Sequence, residues 1–395
     1  MYQRSYRQLV INRLNERRRF IQVIVGPRQV GKTTLVKQVL EKIDKPYLFF
    51  SADNVADLNG AWVSNCWSTA RSRLKNTEID EVILVIDEIQ KITNWSEIVK
   101  KEWDADTFND LNVKVLLLGS SRVLIGRGLS ESLMGRFEEI KIPHWSYSEM
   151  HDAFGFSFEQ YVYFGAYPGA ASLIDDEERW NQYVTNAIAE ASINKDILYN
   201  ANITKPALLR QTFELASAYS GKILSLTKML GSLQDAGNTT TLSGYLELLE
   251  VAGLVTGLQK YSVDMARRRA SIPKFQVYNN ALMSIYNQSS FSNALTNPKD
   301  WGRYYESAIG AHILNDAFVN NYKVYYWREK DKEVDFVISK NRKMVAIEVK
   351  SNNEIGNRGL EMIREMYKDA TTLVVGDSGI SAEEFLRYSP YDLLK

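Results

Sequence analysis

Residues Gly26-Pro27-Arg28-Gln29-Val30-Gly31-Lys32-Thr33-Thr34 have the composition of a loop that cradles phosphate. Glycine at 26 and 31 allows backbone turns that a side chain would block, so successive N–H groups of the loop can point at phosphate oxygens. Lys32 brings a compact positive charge for the β- and γ-phosphates, and the Thr33 hydroxyl is suited to ligate Mg²⁺. The apolar run Phe20–Val25 before the loop and a helical pattern after it supply the strand–loop–helix context this chemistry needs. The sequence thus predicts a nucleoside triphosphate site, with ATP and Mg²⁺ as its ligands. A bland loop is the rival reading, and the flanking elements argue against it.

A second chemical signal closes the run Val82–Ile86, whose unbroken β-branched and aliphatic residues read as a strand buried on both faces of a parallel sheet. Asp87 and Glu88 follow, at the C-terminal strand edge where open α/β sheets bind ligands. Asp87 there would hold Mg²⁺ through water, and Glu88 would polarise the attacking water. An ordinary acidic strand end is the alternative. Val113–Leu118 is another buried strand, ending in Gly119-Ser120-Ser121. Those hydroxyls either act on the lytic water and γ-phosphate, with Ser121 as the catalytic candidate, or simply cap a helix.

A third group lies further on, in two expected strands, Glu333–Ile338 and Val345–Lys350. Period-two alternation puts Glu348 and Lys350 on one face. The spacer 336–347 suits a hairpin that brings Asp335 and Glu348 together, and Glu306, on a helix expected over 301–318, would complete the cluster. Asp335 and Glu348 are expected to ligate Mg²⁺ or Mn²⁺ through oxygen. The metal would stabilise a scissile phosphate while Lys350 positions or deprotonates water. Charged hairpins also produce this spacing by chance, and intact acids do not establish cleavage, so a domain that only binds is the alternative.

The rest of the chain says what must hold these groups. Its 395 residues leave room for two or three domains. Lys and Arg total 48, as do Asp and Glu, so no global field advertises nucleic acid and any such surface is local. The Arg-rich start could imitate a transit peptide, but it runs unbroken into the first strand and reads as a helix of the fold. One cysteine, Cys66, excludes an internal disulfide framework and a cysteine zinc site, and fits a reducing cytoplasm. His144, His151 and His312 are too scattered for a metal site. No apolar run approaches the roughly 18–20 residues that span a bilayer, so a cytoplasmic protein without a membrane partner is expected.

Strand-like segments at 20–25, 46–51, 82–86, 113–118 and 138–142 alternate with helical ones, including 32–43 and 95–106. They predict an α/β domain over 1–155 with a mainly parallel sheet. Residues 156–204 read as helices. Over 205–286, three helical segments precede β-type runs at 253–259 and 274–278, with the basic loop Arg267-Arg268-Arg269 between them. That is the order of a winged helix, a module that serves DNA binding, protein binding or structure alone. Asn238–Thr241 would offer free N–H groups to phosphates, and the arginines would add sequence-independent charge. Asn287–Asp300, rich in Ser, Asn and Pro, is the linker candidate before an α/β segment over 301–395. That segment has strands near 323–327, 333–338, 344–349 and 371–375 and a helix at 358–368.

Gly26–Leu35, Asp87–Ile92 with Trp95, Leu116–Ser121, Leu133–Arg136 and Gly165-Ala166-Tyr167-Pro168 together resemble the AAA+ superfamily, and within it a group of prokaryotic ATPases. The resemblance implies a ring-forming homo-oligomer in which Arg136 is an arginine finger offered in trans to a neighbour's γ-phosphate; a surface or salt-bridged arginine is the plainer reading. It also implies that the turn ending at Pro168 touches the nucleotide from a helical lid. Ala166 stands where glycine is common, and the lid shows no sensor-2 arginine. The C-terminal pattern resembles the PD-(D/E)xK restriction-endonuclease-like fold, which commonly follows the AAA+ module in such ATPases.

The expected fold is therefore α/β: an AAA+ P-loop parallel-sheet domain with a helical lid, a winged-helix-like middle and a C-terminal restriction-endonuclease-like α/β domain. The expected function is an ATP-hydrolysing ATPase acting on DNA, with a metal-dependent nuclease-like C-terminal domain. Its rivals are a nucleotide-gated oligomeric switch and a DNA-binding regulator whose last domain only binds a partner. Nothing in the sequence identifies a protein partner.

Overall fold

The computed structural model describes residues 1–55, 59–76, 79–119, 129, 132–198, 203–233, 237–287, 289–351 and 358–395. The chain divides into two compact units, Met1–Ile142 and Pro143–Lys395, each with a hydrophobic core of its own.

In the first unit, β1 (Ile21–Val25), β2 (Tyr47–Ser51), β3 (Val82–Asp87), β4 (Val113–Gly119) and β5 (Phe137–Lys141) make one sheet in the order β2-β3-β4-β1-β5. Every neighbouring pair is parallel. β1, β3 and β4 are buried throughout, which is why their sequences are apolar runs and not alternations. On one face, Ile24, Val85, Leu116 and Leu118 pack against Val10 and Leu14 of the helix Tyr6–Asn15 and Leu35, Val36 and Val39 of the helix Lys32–Leu40. The basic start of the chain is thus a helix of the fold, as expected. Because the strands are parallel, the loop after β1 and the acids ending β3 share one edge of the sheet, with the end of β4 between them. Arg136 lies at the other edge, where its carbonyl accepts from the N–H of Ile21 at 2.8 Å.

The second unit begins with the helices Tyr147–Phe154 and Phe158–Phe164, each opened by a serine capping box. Further on come the helices Pro206–Ala218, Leu226–Gly231 and Thr239–Val251, then the antiparallel pair β6 (Val255–Leu258) and β7 (Lys274–Val277). A bridge between Ile223 and Lys274 adds a third partner to this hairpin.

Two expectations are corrected here. The basic loop between β6 and β7 contains a helix, Met265–Arg269, whose first N–H groups are capped by Asp264. The linker candidate 287–300 contains the helix Phe291–Thr296 and the start of the helix Pro298–Asn320. Its Ser, Asn and Pro residues are helix-start chemistry: Ser290 and Asn297 accept from the following N–H groups, and Pro298 needs no donor at the first helical position. Ala294 is buried and the Phe291 N–H donates to Glu177, so the segment is packed.

β8 (Lys323–Glu329), β9 (Lys332–Lys340), β10 (Lys343–Lys350) and β11 (Ala370–Gly376) form a separate mixed sheet, ordered β11-β10-β9-β8. β8–β9 and β9–β10 are antiparallel and β10–β11 is parallel. Asn341 and Arg342 both take positive φ in the tight turn joining β9 to β10, the conformation whose twist matches a two-residue hairpin. Among the described residues, no helix is long and apolar enough to cross a membrane.

Candidate functional site

The loop after β1 is shaped by contact and by backbone. A Cβ on Gly26 would fall 2.1 Å from the carbonyl oxygen of Ile142, so only glycine lets the chain leave β1 along this path. Gln29 (φ 65°) and Gly31 (φ 85°) then bend it through left-handed conformations. Gly31 caps the helix Lys32–Leu40, so the N-terminus of the helix opens onto the loop, the arrangement that attracts phosphate. Lys32 is buried, and its ammonium donates to the carbonyls of Gly26 at 2.9 Å and Pro27 at 2.7 Å. The charge is thereby folded over the loop.

Across the end of β4, the Thr33 hydroxyl donates to Asp87 Oδ2 at 2.8 Å. The other oxygen of the buried Asp87 accepts from the Glu88 N–H at 2.9 Å. A hydroxyl and a carboxylate so joined are hard oxygen donors, and they fit the Mg²⁺ that accompanies a triphosphate. Glu88 adopts φ 54°, ψ 34°, a left-handed conformation that a side chain disfavours and that collects at functional sites. Its carboxylate accepts from Gln90 Nε2 at 2.6 Å. Gln90 is not singled out by sequence, although its place two residues beyond the acid was the available signal.

Arg136 makes a two-pronged ion pair with Asp104 of the helix Trp95–Phe108, at 2.8 and 3.0 Å. Hydrogen bonding to Asp104 holds its pKa above the usual arginine value. Ser120 and Ser121 lie outside the described residues. Pro168 belongs to the second unit, where it opens the 3₁₀ helix Pro168–Leu173. In that turn a Cβ on Gly165 would lie 2.1 Å from Asn279 Oδ1, and the same oxygen accepts from the Ala166 N–H at 3.0 Å. Packing against Asn279 therefore accounts for the glycine.

In the C-terminal sheet the hairpin does what its spacing predicts. Ile347 pairs with Phe336, so the next positions outward, Asp335 and Glu348, stand opposite each other. Asp335 Oδ2 accepts from the Val349 N–H at 2.8 Å, and Lys350 pairs with Glu348 Oε1 at 2.9 Å. The residue that sequence reasoning missed is Lys274, the first of β7. Its side chain is 1% exposed, and its ammonium meets Glu306 Oε1 at 2.7 Å, Asp335 Oδ1 at 3.2 Å and Glu333 Oε1 at 3.3 Å. Burial pushes Glu306 and Glu348 up to about 7. Burial opposes the Lys274 charge, but the surrounding carboxylates more than offset it and raise the pKa. Among the described residues, no group of three or more His, Cys, Asp and Glu side chains is disposed to hold a metal ion. As they stand, these residues do not fit the Mg²⁺ or Mn²⁺ expected at Asp335 and Glu348: an ammonium already fills the space between the acids.

The fold and the first site together define an AAA-type P-loop domain: residues 18–151 match the family described as AAA domain. Residues 155–291 and 301–384 match two families described as domains of unknown function, DUF8612 and DUF4143; the latter description specifies no nuclease. The chain is similar to an uncharacterised protein of Methanocaldococcus jannaschii, at 24% identity over 88% of this chain and 79% of that protein. It is also similar to uncharacterised proteins of Haemophilus influenzae (22%, covering 84% and 82%) and Mycobacterium tuberculosis (24%, covering 83% and 69%). Among solved structures, the ORC1 protein of Aeropyrum pernix in complex with DNA aligns at TM-score 0.30 and 12% identity, over 73% of this chain and 92% of that one. The Thermotoga maritima RuvB Holliday junction branch migration motor aligns at TM-score 0.30 and 16% identity, over 63% and 85%.

Proposed function

We propose that this chain is an oligomeric ATPase that binds Mg-ATP in its first unit, hydrolyses it between subunits and acts on DNA. The observation that carries the reading is the 2.8 Å bond from Thr33 to Asp87 beside the buried Lys32. It joins the phosphate loop to the acidic end of β3 on one sheet edge. The N–H groups of 26–34, other than Pro27, and the Lys32 ammonium hold the β- and γ-phosphates, and Thr33 and Asp87 hold Mg²⁺. The bound ion neutralises charge on the phosphates. Glu88 orients the attacking water, with Gln90 fixing its carboxylate, and Arg136 serves the site of an adjacent copy.

The DNA assignment is supported by the helix–helix–helix–hairpin order over 206–277 and by Arg267, whose side chain is 84% exposed. Arg268 contributes less, because it donates to the Ser262 carbonyl and to the Tyr325 hydroxyl. Steady-state phosphate release with and without duplex DNA tests the whole reading: continuous turnover raised several-fold by DNA is expected. A second reading, a nucleotide-gated switch whose last domain only binds, is favoured by the ammonium inside the C-terminal acids. Single turnover with nucleotide retained through purification, and no response to DNA, would select it.

A further inference from the structure

We infer that Lys274 is a built-in cation that closes the Glu306–Asp335–Glu348 cluster to divalent metal, so that the C-terminal domain carries no metal ion there. This stands whether or not the first unit hydrolyses ATP.

The ammonium offers three N–H donors, and carboxylates surround it: Glu306 at 2.7 Å, Asp335 at 3.2 Å and Glu333 at 3.3 Å. The Asp335 carbonyl lies at 3.4 Å, and the Phe336 ring centroid at 5.3 Å gives the charge an aromatic face. A divalent ion bound to Asp335 Oδ1 and Glu306 Oε1 would need contacts of about 2.1–2.5 Å to the same oxygens. It would therefore enter the volume the ammonium fills, against a charge of its own sign. Two other oxygens of the cluster already have partners. Asp335 Oδ2 is bound to the Val349 N–H, and Glu348 Oε1 is bound to Lys350.

Nor is Lys274 a side chain that swings in from solvent. It starts β7, where Lys274 pairs with Leu258 and bridges to Ile223, and the next N–H, that of Phe275, donates to the Lys222 carbonyl at 3.0 Å. The lysine is thus delivered by the hairpin of the middle segment into the acids of the last sheet. Its positive charge replaces a metal as the counter-ion the buried acids require.

The test is Mn²⁺ binding to the nucleotide-free full-length chain, followed by electron paramagnetic resonance. Wild type and Asp335→Asn should both show no Mn²⁺ site at this cluster. Lys274→Met, which removes the charge and vacates the position of the ammonium, should gain one site at least about tenfold tighter than any in wild type. Its melting temperature should rise with Mn²⁺ while that of wild type stays put. Adding Asp335→Asn to Lys274→Met should abolish the gained site. A Mn²⁺ site in wild type that Asp335→Asn removes would overturn the inference, as would a folded Lys274→Met that gains none. Should Lys274→Met fail to fold, the comparison of wild type with Asp335→Asn decides alone: an Asp335-dependent site refutes, and none supports. Metal-dependent DNA nicking lost in Asp335→Asn would equally refute it.

Discussion

Replacing Arg136 with alanine isolates the demand that hydrolysis needs two copies of the chain. The phosphate loop leaves β1 after Val25, whereas Arg136 sits at the opposite end of the strand, bonded through its carbonyl to Ile21. Four strand steps of about 3.3 Å put about 13 Å of sheet between them, before the loop adds more. The arginine therefore cannot serve its own nucleotide. Within the subunit it rests on Asp104 in a partly exposed ion pair, with side chains 33% and 44% exposed. Such a pair is worth about 0–1 kcal/mol. An arginine finger is worth about 10³–10⁵ in rate, or about 4–7 kcal/mol at 1.36 kcal/mol per decade. The cost of leaving Asp104 is thus small against the transition-state stabilisation that the proposed role asks of Arg136. The assay is phosphate release by Arg136→Ala, by Lys32→Ala and by their mixture. Each variant alone should fall by about a thousandfold or more. The mixture should recover activity that neither has, because one supplies the intact loop and the other the arginine. Asp104→Ala should stay within about threefold of wild type. A wild-type rate from Arg136→Ala, or a mixture that assembles and stays inactive, would refute the reasoning.

Two further outcomes follow from the same geometry. Glu88→Gln should slow turnover by about 10²–10⁴ with ATP affinity held within a few-fold; parallel losses in affinity and rate, read by calorimetry and phosphate release, would reassign the residue to binding. Burial holds the folded-state pKa of Glu306 near 7, in the company of Lys274, Asp335 and Glu333. The folded chain thus binds that proton more tightly than the unfolded one, whose carboxyl ionises near 4.5. Stability from this group is full below the unfolded value and is lost as pH rises from about 5 to about 7.5. Urea midpoints of wild type should therefore fall relative to those of Glu306→Gln across that window, and a relative rise would contradict the assignment.

What the sequence discloses is what local chemistry dictates. The loop, the acidic end of β3 and the meeting of Asp335 with Glu348 all follow from a turn, a strand end or a hairpin register, each readable within a short window. The strands fall within a residue or two of their expected bounds, and β1, β3 and β4 are buried runs that a short window discloses. Lys274 could not be read this way: it lies 61 residues from Asp335 in the chain and joins it only through tertiary packing. The Arg136–Asp104 pair is hidden for the same reason. The segment 287–300 misleads for a different one, since Ser, Asn and Pro mark helix starts as readily as linkers, and only the burial of Ala294 and the bond from Phe291 to Glu177 decide between them.

The central claim is that residues 26–34 and Asp87 converge on one triphosphate. Titrating Mg-ATP into the wild-type chain by calorimetry tests it directly. The account predicts one site per chain, lost in Lys32→Ala and stripped of its Mg²⁺ dependence in Asp87→Ala. Absence of heat from a folded wild-type chain, or equal binding by all three proteins, would contradict it.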